Sequence, residues 1–237
     1  MNQHEESTER EELLKIASAR LNPAWTNPNF LVLRARKIIF EKWIHEFPQK
    51  KLQILDVGGR YQPYRPLFEE RISQYIAVDI LQTELVDVVG SGDALPFAAN
   101  TFDVAIVTQV LEYFANPGDA GAHIYSALKP GGKLLASVAS FAPRFVDEEC
   151  WRFTPRGIRE SLSLFKKVEI VPETLSLGGL VRTLNLAMHT YAHFQAVRKI
   201  HEWTFCPLLN GLGLWLERLK LTNNDQFTPN YSVLAEK

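Results

Sequence analysis

The feature that most limits what this chain can fold into is an alternation, from residue 53 onward, of short β-rich runs with segments of helical character. Gln53 to Val57, Tyr75 to Asp79, Val86 to Val89, Phe102 to Thr108, Lys133 to Ala139 and Lys167 to Val171 read as strands, and Tyr231 to Glu236 offers a seventh. Helices are expected between them, from about Tyr64 to Ile72, from Pro117 to Leu128 ahead of the Lys129-Pro130-Gly131-Gly132 turn, and from Pro155 to Leu164. A strand reaches a parallel neighbour only through a crossover, so this order implies a mostly parallel sheet with helices on both faces. The stretch between Asp79 and the Val86 run is too short for a full crossover helix, and a loop is expected there.

Ahead of the sheet, Leu13, Leu14 and Ala17 among charged residues suit an amphipathic helix within Glu5 to Arg20. Pro23 and Pro28 punctuate a linker, and a second helix runs from Leu31 to Phe47 with Ile38, Ile39 and Trp43 on its apolar side, stopped by Pro48. Residues 1–48 thus read as an N-terminal helical extension and 49–237 as the main domain. A leucine-rich helical insertion, about 176–222, precedes the last strand and is expected to roof the sheet's ligand edge. Helix packing or a homodimer contact suits its apolar residues better than a peripheral membrane contact or a lipid-linked acceptor.

Composition narrows the partners. Lys plus Arg (26) balance Asp plus Glu (27) with no long basic run, which argues against nucleic acid. Cys150 and Cys206 lie far apart and outside any metal-ligand spacing, and the N-terminus is acidic where an export signal would be basic and then apolar, so a cytoplasmic location is expected. His189 and His193 stand four apart without a third ligand or a His-Glu-x-x-His context, so no metal is expected.

In open α/β sheets, ligands bind beyond the carboxyl ends of the strands. The first strand ends as Asp56-Val57-Gly58-Gly59, where a ligand can approach backbone that carries no Cβ, although a plain tight turn reads the same way. The second ends in Asp79, 23 residues beyond Asp56. That interval suits an acid that meets ribose hydroxyls. Two such hydrogen bonds are worth roughly 1.5–3 kcal/mol. A strand-end aspartate that caps a turn is the plainer alternative. The Gly-x-Gly-x-x-Gly loop of nicotinamide enzymes is absent, since Arg60-Tyr61-Gln62-Pro63 follows Gly59.

The third signal is Gly92-Asp93-Ala94-Leu95-Pro96-Phe97, followed by Phe102-Asp103-Val104, Leu111-Glu112 and Leu128 to Gly132. In this order the motifs resemble the class I S-adenosylmethionine-dependent methyltransferases, closely over Gln53 to Ser140. Trp151-Arg152-Phe153-Thr154-Pro155 is similar to a stretch in a branch associated with saccharide or surface-polymer biosynthesis. The resemblance implies a doubly wound, mostly parallel, seven-stranded Rossmann-like sheet, S-adenosylmethionine as cofactor, and a small-molecule acceptor such as a sugar or glycolipid hydroxyl. It implies that Asp56, Gly58 and Gly59 line the methionine end of the donor. Asp79, with Ile80 beside it, would hold the ribose, Asp93 and Ala94 would meet the adenine edge, and Gln109 would sit near the methionine. Glu112 and Tyr113 would stand at the rim of the acceptor pocket. The chain departs from the pattern at Arg60, where a spaced glycine is usual, and at Tyr113, where a histidine is common.

An acceptor hydroxyl needs a group to take its proton. Asp147 and Glu148 are favoured, on a loop able to close over the pocket with Trp151 and Arg152 behind it; Glu149, Tyr113 and His123 are further candidates. Surface ion pairs with Arg144 and Arg152 explain these acids equally well. A non-catalytic relative that keeps the fold and has lost the cofactor stands as the alternative function.

Overall fold

The computed structural model describes residues 3–48, 50–144, 146–221 and 223–237, with side chains from Thr8 onward. The central strands β1 (Leu52–Val57) and β4 (Phe102–Thr108) are apolar at successive positions, so both of their faces must be covered. On one face Leu55, Val57, Ala105 and Val107 pack with Ile124 of α3 (Pro117–Ala127) and Ile158 of α4 (Pro155–Ser161). On the other, Ile54, Val104 and Ile106 pack with Phe40, Trp43 and Ile44 of α2 (Phe30–His45). The N-terminal helix α1 (Gln3–Leu21) contributes Leu21 to that second cluster. The segment expected as an extension thus helps to cover one face of the central strands.

The remaining strands are β2 (Ile72–Asp79), β3 (Val88–Val89), β5 (Leu128–Ala139), β6 (Lys167–Pro172) and β7 (Asn230–Glu236). The seven are ordered β3-β2-β1-β4-β5-β7-β6. β7 runs antiparallel to both neighbours, and the other pairs are parallel. No helix forms between β2 and β3, as the short connection requires.

One expected helix is absent. Residues 64–72 form two three-residue 3₁₀ turns, Arg65–Leu67 and Glu69–Arg71, and β2 already begins at Ile72. Pro66 sits in the first turn, where a helix tolerates it, but Glu69 sits at φ 33, which breaks the α-helical path between the turns. The Val86 run is also shorter than expected. Val86 is buried ahead of the strand, and Asp87 turns back to accept a hydrogen bond from the Ala77 amide at 2.8 Å.

The insertion consists of α5 (Ser176–Thr190), α6 (Gln195–Trp203) and α7 (Phe205–Leu219). α7 packs on α2 and the linker before it, and α5 sets Gly179 against the Phe227 carbonyl of the segment that pairs with Ser140 and Phe141 just beyond β5. A Cβ at Gly213 would lie 2.4 Å from Leu31, and the Asn210 amide donates to the Trp25 and Asn27 carbonyls at 2.8 and 3.0 Å.

A buried ion pair joins these layers. Arg36 donates from Nε and Nη2 to the two oxygens of Glu173 at 2.6 and 3.0 Å, and both residues are buried. The same carboxylate accepts from Ser137 of β5 and from Ser232 and Asn230 of β7. Five donors from three elements thus meet one carboxylate. Arg36→Met would leave it without a counter-charge in a dry site, and the expected loss of unfolding free energy is about 3–5 kcal/mol. Urea denaturation measures this; a loss under about 1 kcal/mol would contradict the assignment.

Candidate functional site

The strand order reverses at β1, which lies between β2 and β4. The carboxyl ends of β3, β2, β1 and β4 therefore stand in a row, and their following residues share one edge. Gly58 follows β1 with φ 76, and its amide donates to the Val78 carbonyl at 2.7 Å. A Cβ there would lie 2.2 Å from Val110, so the loop after β1 and the loop after β4 touch at this glycine. Gly59 is pressed as closely on Asp56, whose carboxyl carbon would lie 2.9 Å from an added Cβ.

Asp79 closes β2 and is buried. Its Oδ1 accepts from the Leu81 amide at 3.0 Å, and the Arg60 guanidinium approaches Oδ2 at 3.9 Å. Beside it Ile80 leaves 69% of its surface in solvent, an apolar shelf at the strand's end. Asp93 and Ala94 lie on the turn after β3, half-buried and exposed respectively. Gly92 anchors that turn, because a Cβ there would meet Phe114 at 2.6 Å and Val57 at 2.7 Å.

Asp56 behaves differently from Asp79. Its carboxylate is buried and accepts a 2.5 Å hydrogen bond from the Tyr75 hydroxyl. Burial raises its pKa to about 7 against that hydrogen bond, and the nearby Asp79 charge adds to the rise. In this structure Asp56 braces the glycine turn from beneath.

Gln109 follows β4 in a left-handed conformation, φ 57, which costs a residue with a Cβ on the order of 1–3 kcal/mol. Two hydrogen bonds hold it there. Its amide donates to the Ser137 carbonyl at 2.7 Å, and its side-chain Nε2 donates to Ser137 Oγ at 3.1 Å. Ser137 Oγ in turn donates to Glu173 at 2.8 Å, so Gln109 hangs from the Arg36–Glu173 pair. This chain of polar groups escaped the sequence reading. Its one visible trace is the placement of Arg36 in line with the buried Val32, Phe40 and Trp43.

Beyond Gln109, residues 111–113 form a 3₁₀ turn that buries Glu112 and leaves Tyr113 half open. Oε2 of Glu112 finds no hydrogen-bond partner. Desolvation pushes its pKa up to about 7, with Arg36 and Arg152 opposing and Glu149 reinforcing the rise. The Tyr113 hydroxyl is raised above its usual value by burial and by Glu149 and Glu112, so it holds its proton at neutral pH.

The three acids after β5 separate. Asp147 is 88% exposed and pairs with Arg144 at 3.0 Å, and Glu148 is also exposed. Glu149 alone turns inward and pairs with Arg152. The loop is moored at its far end, where the Cys150 and Trp151 amides donate to the Glu112 carbonyl and the Trp151 indole to the Phe114 carbonyl. Arg152 ties back to the Ala142 and Pro143 carbonyls, Phe153 is buried, and Thr154 caps α4 through the Gly157 amide. Each residue from Trp151 to Thr154 thus has a structural task in this loop. Asp103 lies at the opposite edge of the sheet, held by Lys50 and Lys129 at 2.8 Å each. His189 stands 3.7 Å from Glu202 and His193 is exposed, and among the described residues no metal-binding group of three or more His, Cys, Asp or Glu is gathered.

A cleft of about 390 Å³ separates α1 from the 62–66 turn and Leu85, with Leu14, Ala17, Pro63 and Pro66 among its walls. None of the strand-end acids lines it.

Residues 55–136 match a family model described as a methyltransferase domain. The stretch runs from β1 into β5 and contains Asp56, Asp79, Asp93, Gln109 and Glu112. No curated protein matches the chain. Among solved structures, the [4+2]-cyclase SpnF is 18% identical with a TM-score of 0.54, over 84% of this chain and 80% of that one. A SAM-dependent methyltransferase from Archaeoglobus fulgidus is 16% identical, TM-score 0.51, over 85% and 94%. Phosphoethanolamine N-methyltransferase 2 of Haemonchus contortus, solved with phosphomonomethylethanolamine and S-adenosylhomocysteine, is 16% identical, TM-score 0.52, over 93% of this chain and 60% of that one. At these identities the likeness establishes the fold.

The raised pKa of Glu112 has a consequence for stability. The folded state prefers the neutral carboxyl, so its contribution is fully present below the ordinary value of 4.5 and is lost as pH rises through about 7. Glu112→Gln removes this titration. Relative to the parent, the variant is expected to gain on the order of 3 kcal/mol between pH 4.5 and 8. Urea unfolding at a series of pH values measures the difference, and a flat difference curve would show that Glu112 is not desolvated.

Proposed function

We propose that this chain is a methyltransferase that uses S-adenosylmethionine to methylate a hydroxyl of a small, sugar-like acceptor. The observation that carries the reading is the row of strand ends within the methyltransferase-domain match, with Asp79, the Gly58 turn and Gln109 on neighbouring strands. When bound, S-adenosylmethionine supplies an electrophilic methyl group on a sulfonium.

The residues present fit that cofactor. Asp79 spends one oxygen on a backbone amide and keeps lone pairs for two ribose hydroxyls. Ile80 offers apolar surface beside it, and Asp93 and Ala94 lie on the next turn for the adenine edge. Gly58 and Gly59 let the loop after β1 pass close to its neighbours, with Asp56 beneath them. Gln109, fixed in a strained backbone by Ser137, presents its edge of the pocket in a single orientation.

Removal of the acceptor proton falls to Glu112. It is dry, one of its oxygens is unpartnered, and its pKa near 7 lets it accept a proton at neutral pH. Asp147 and Glu148 are solvated, and Asp147 is paired, which suits a surface role better. The Trp151 to Pro155 stretch supports a saccharide or glycolipid acceptor by resemblance to its branch alone.

Arg60 favours a second reading, a non-catalytic protein of the same fold, because its guanidinium competes for the Asp79 oxygen that ribose would use. Calorimetry with S-adenosylmethionine and S-adenosylhomocysteine separates the two. The enzyme reading expects binding by the parent and a ten- to hundredfold weaker affinity in Asp79→Asn. Absence of binding by the parent would favour the non-catalytic reading, and equal affinity in the variant would move the donor elsewhere.

A further inference from the structure

The helical insertion is built inside out. The residues that α7 turns toward its neighbours are Cys206, Asn210, Gly213 and Glu217. Those it turns to solvent are Leu208, Leu212, Trp215 and Leu219, each two positions further on and so about 200° around the helix. α5 repeats the pattern in part. Gly178, Arg182 and Asn185 face inward with Leu186, whereas Leu180, Leu184 and Met188, and Tyr191 just after the helix, are exposed. The interior is not fully satisfied either, since Nε and Nη1 of Arg182 and Oδ1 of Asn185 find no hydrogen-bond partner. A surface helix of a protein that meets only water shows the opposite arrangement.

Between these helices the chain exposes a third apolar row. Phe194, Val197, Ile200 and Trp203 recur every three residues through α6, and Phe194 and Trp203 are 76% and 75% exposed. Leu208, at the start of α7, is 70% exposed. Soluble monomers rarely leave contiguous apolar surface of this extent uncovered.

The charges say what covers it. Residues 176–221 hold five cations and two acids, a net charge of +3, so the rest of the chain carries −4 of the total −1. Glu217 turns inward to accept from the Leu175 amide, whereas Arg198, Lys199, Arg218 and Lys220 are exposed among the apolar rows. Two copies apposed through this face about a twofold axis would bring these cations together, which disfavours a homodimer. Apolar and aromatic side chains interleaved with Lys and Arg match the interface of an anionic bilayer, where rings lie at headgroup depth and cations meet lipid phosphates. Among the described residues no helix is long and apolar enough to cross a membrane, so the layer would lie in the surface plane.

We propose that the outer face of α5, α6 and α7 docks this protein onto anionic lipid bilayers. The proposal goes beyond the donor-site reading and does not depend on it. Flotation of the full chain with phosphatidylcholine vesicles, with and without phosphatidylglycerol, tests it. The expected result is co-flotation with the phosphatidylglycerol vesicles that declines with salt. Phe194→Ser with Trp203→Ser, and separately Arg198→Glu with Lys199→Glu, are each expected to weaken it at least about tenfold, with unchanged thermal unfolding by circular dichroism. These side chains are exposed, so their loss does not open the core. Absence of flotation with either vesicle would overturn the proposal, as would equal flotation with both. A dimer in sedimentation equilibrium that the Phe194/Trp203 pair abolishes, without flotation, would assign the face to a second copy.

Discussion

One buried carboxylate organises the strand-end edge proposed to bind the donor. Glu173 follows β6, is sealed from solvent, and accepts hydrogen bonds from Arg36, Ser137, Asn230 and Ser232. A charge in that position is tolerable only because a counter-charge and several further donors meet it there. In meeting them it fixes α2 against β5 and β7. Ser137 then passes the constraint to Gln109, whose strained backbone directly follows β4. Gln109 is thus held from behind, by groups set beneath the strand ends.

Much of the architecture was legible because strands buried on both faces leave a plain signature. Phe102 to Thr108 was read to the residue, and the missing helix after Asp79 followed from the short connection and the interrupting Asp87, Gly90 and Gly92. The helix expected at residues 64–72 failed because the positive φ of Glu69 splits it into two short turns, which no residue pattern announced. The order of strands β5, β7 and β6 rests on long-range pairing, which no local pattern carries.

The candidate site was legible in part, for a physical reason. Acids at strand ends, such as Asp79, can be found because the strand's direction decides where they emerge. Asp147, Glu148 and Glu149 lie on a loop without periodicity, so nothing in the sequence tells which of them turns inward. The hub itself was invisible, since Arg36 and Glu173 lie 137 residues apart. A [4+2]-cyclase shares this fold, so the chemistry must be argued from such side chains.

The central claim is that the Glu173 network positions the donor end of the site through Ser137. Calorimetric titration of Ser137→Ala with S-adenosylhomocysteine, beside urea unfolding of the same variant, tests it most directly. The account predicts at least a roughly fivefold loss of affinity, which one lost neutral hydrogen bond can supply, in a protein that remains folded. A variant that binds as tightly as the parent would contradict it and leave the network a purely structural part of the core.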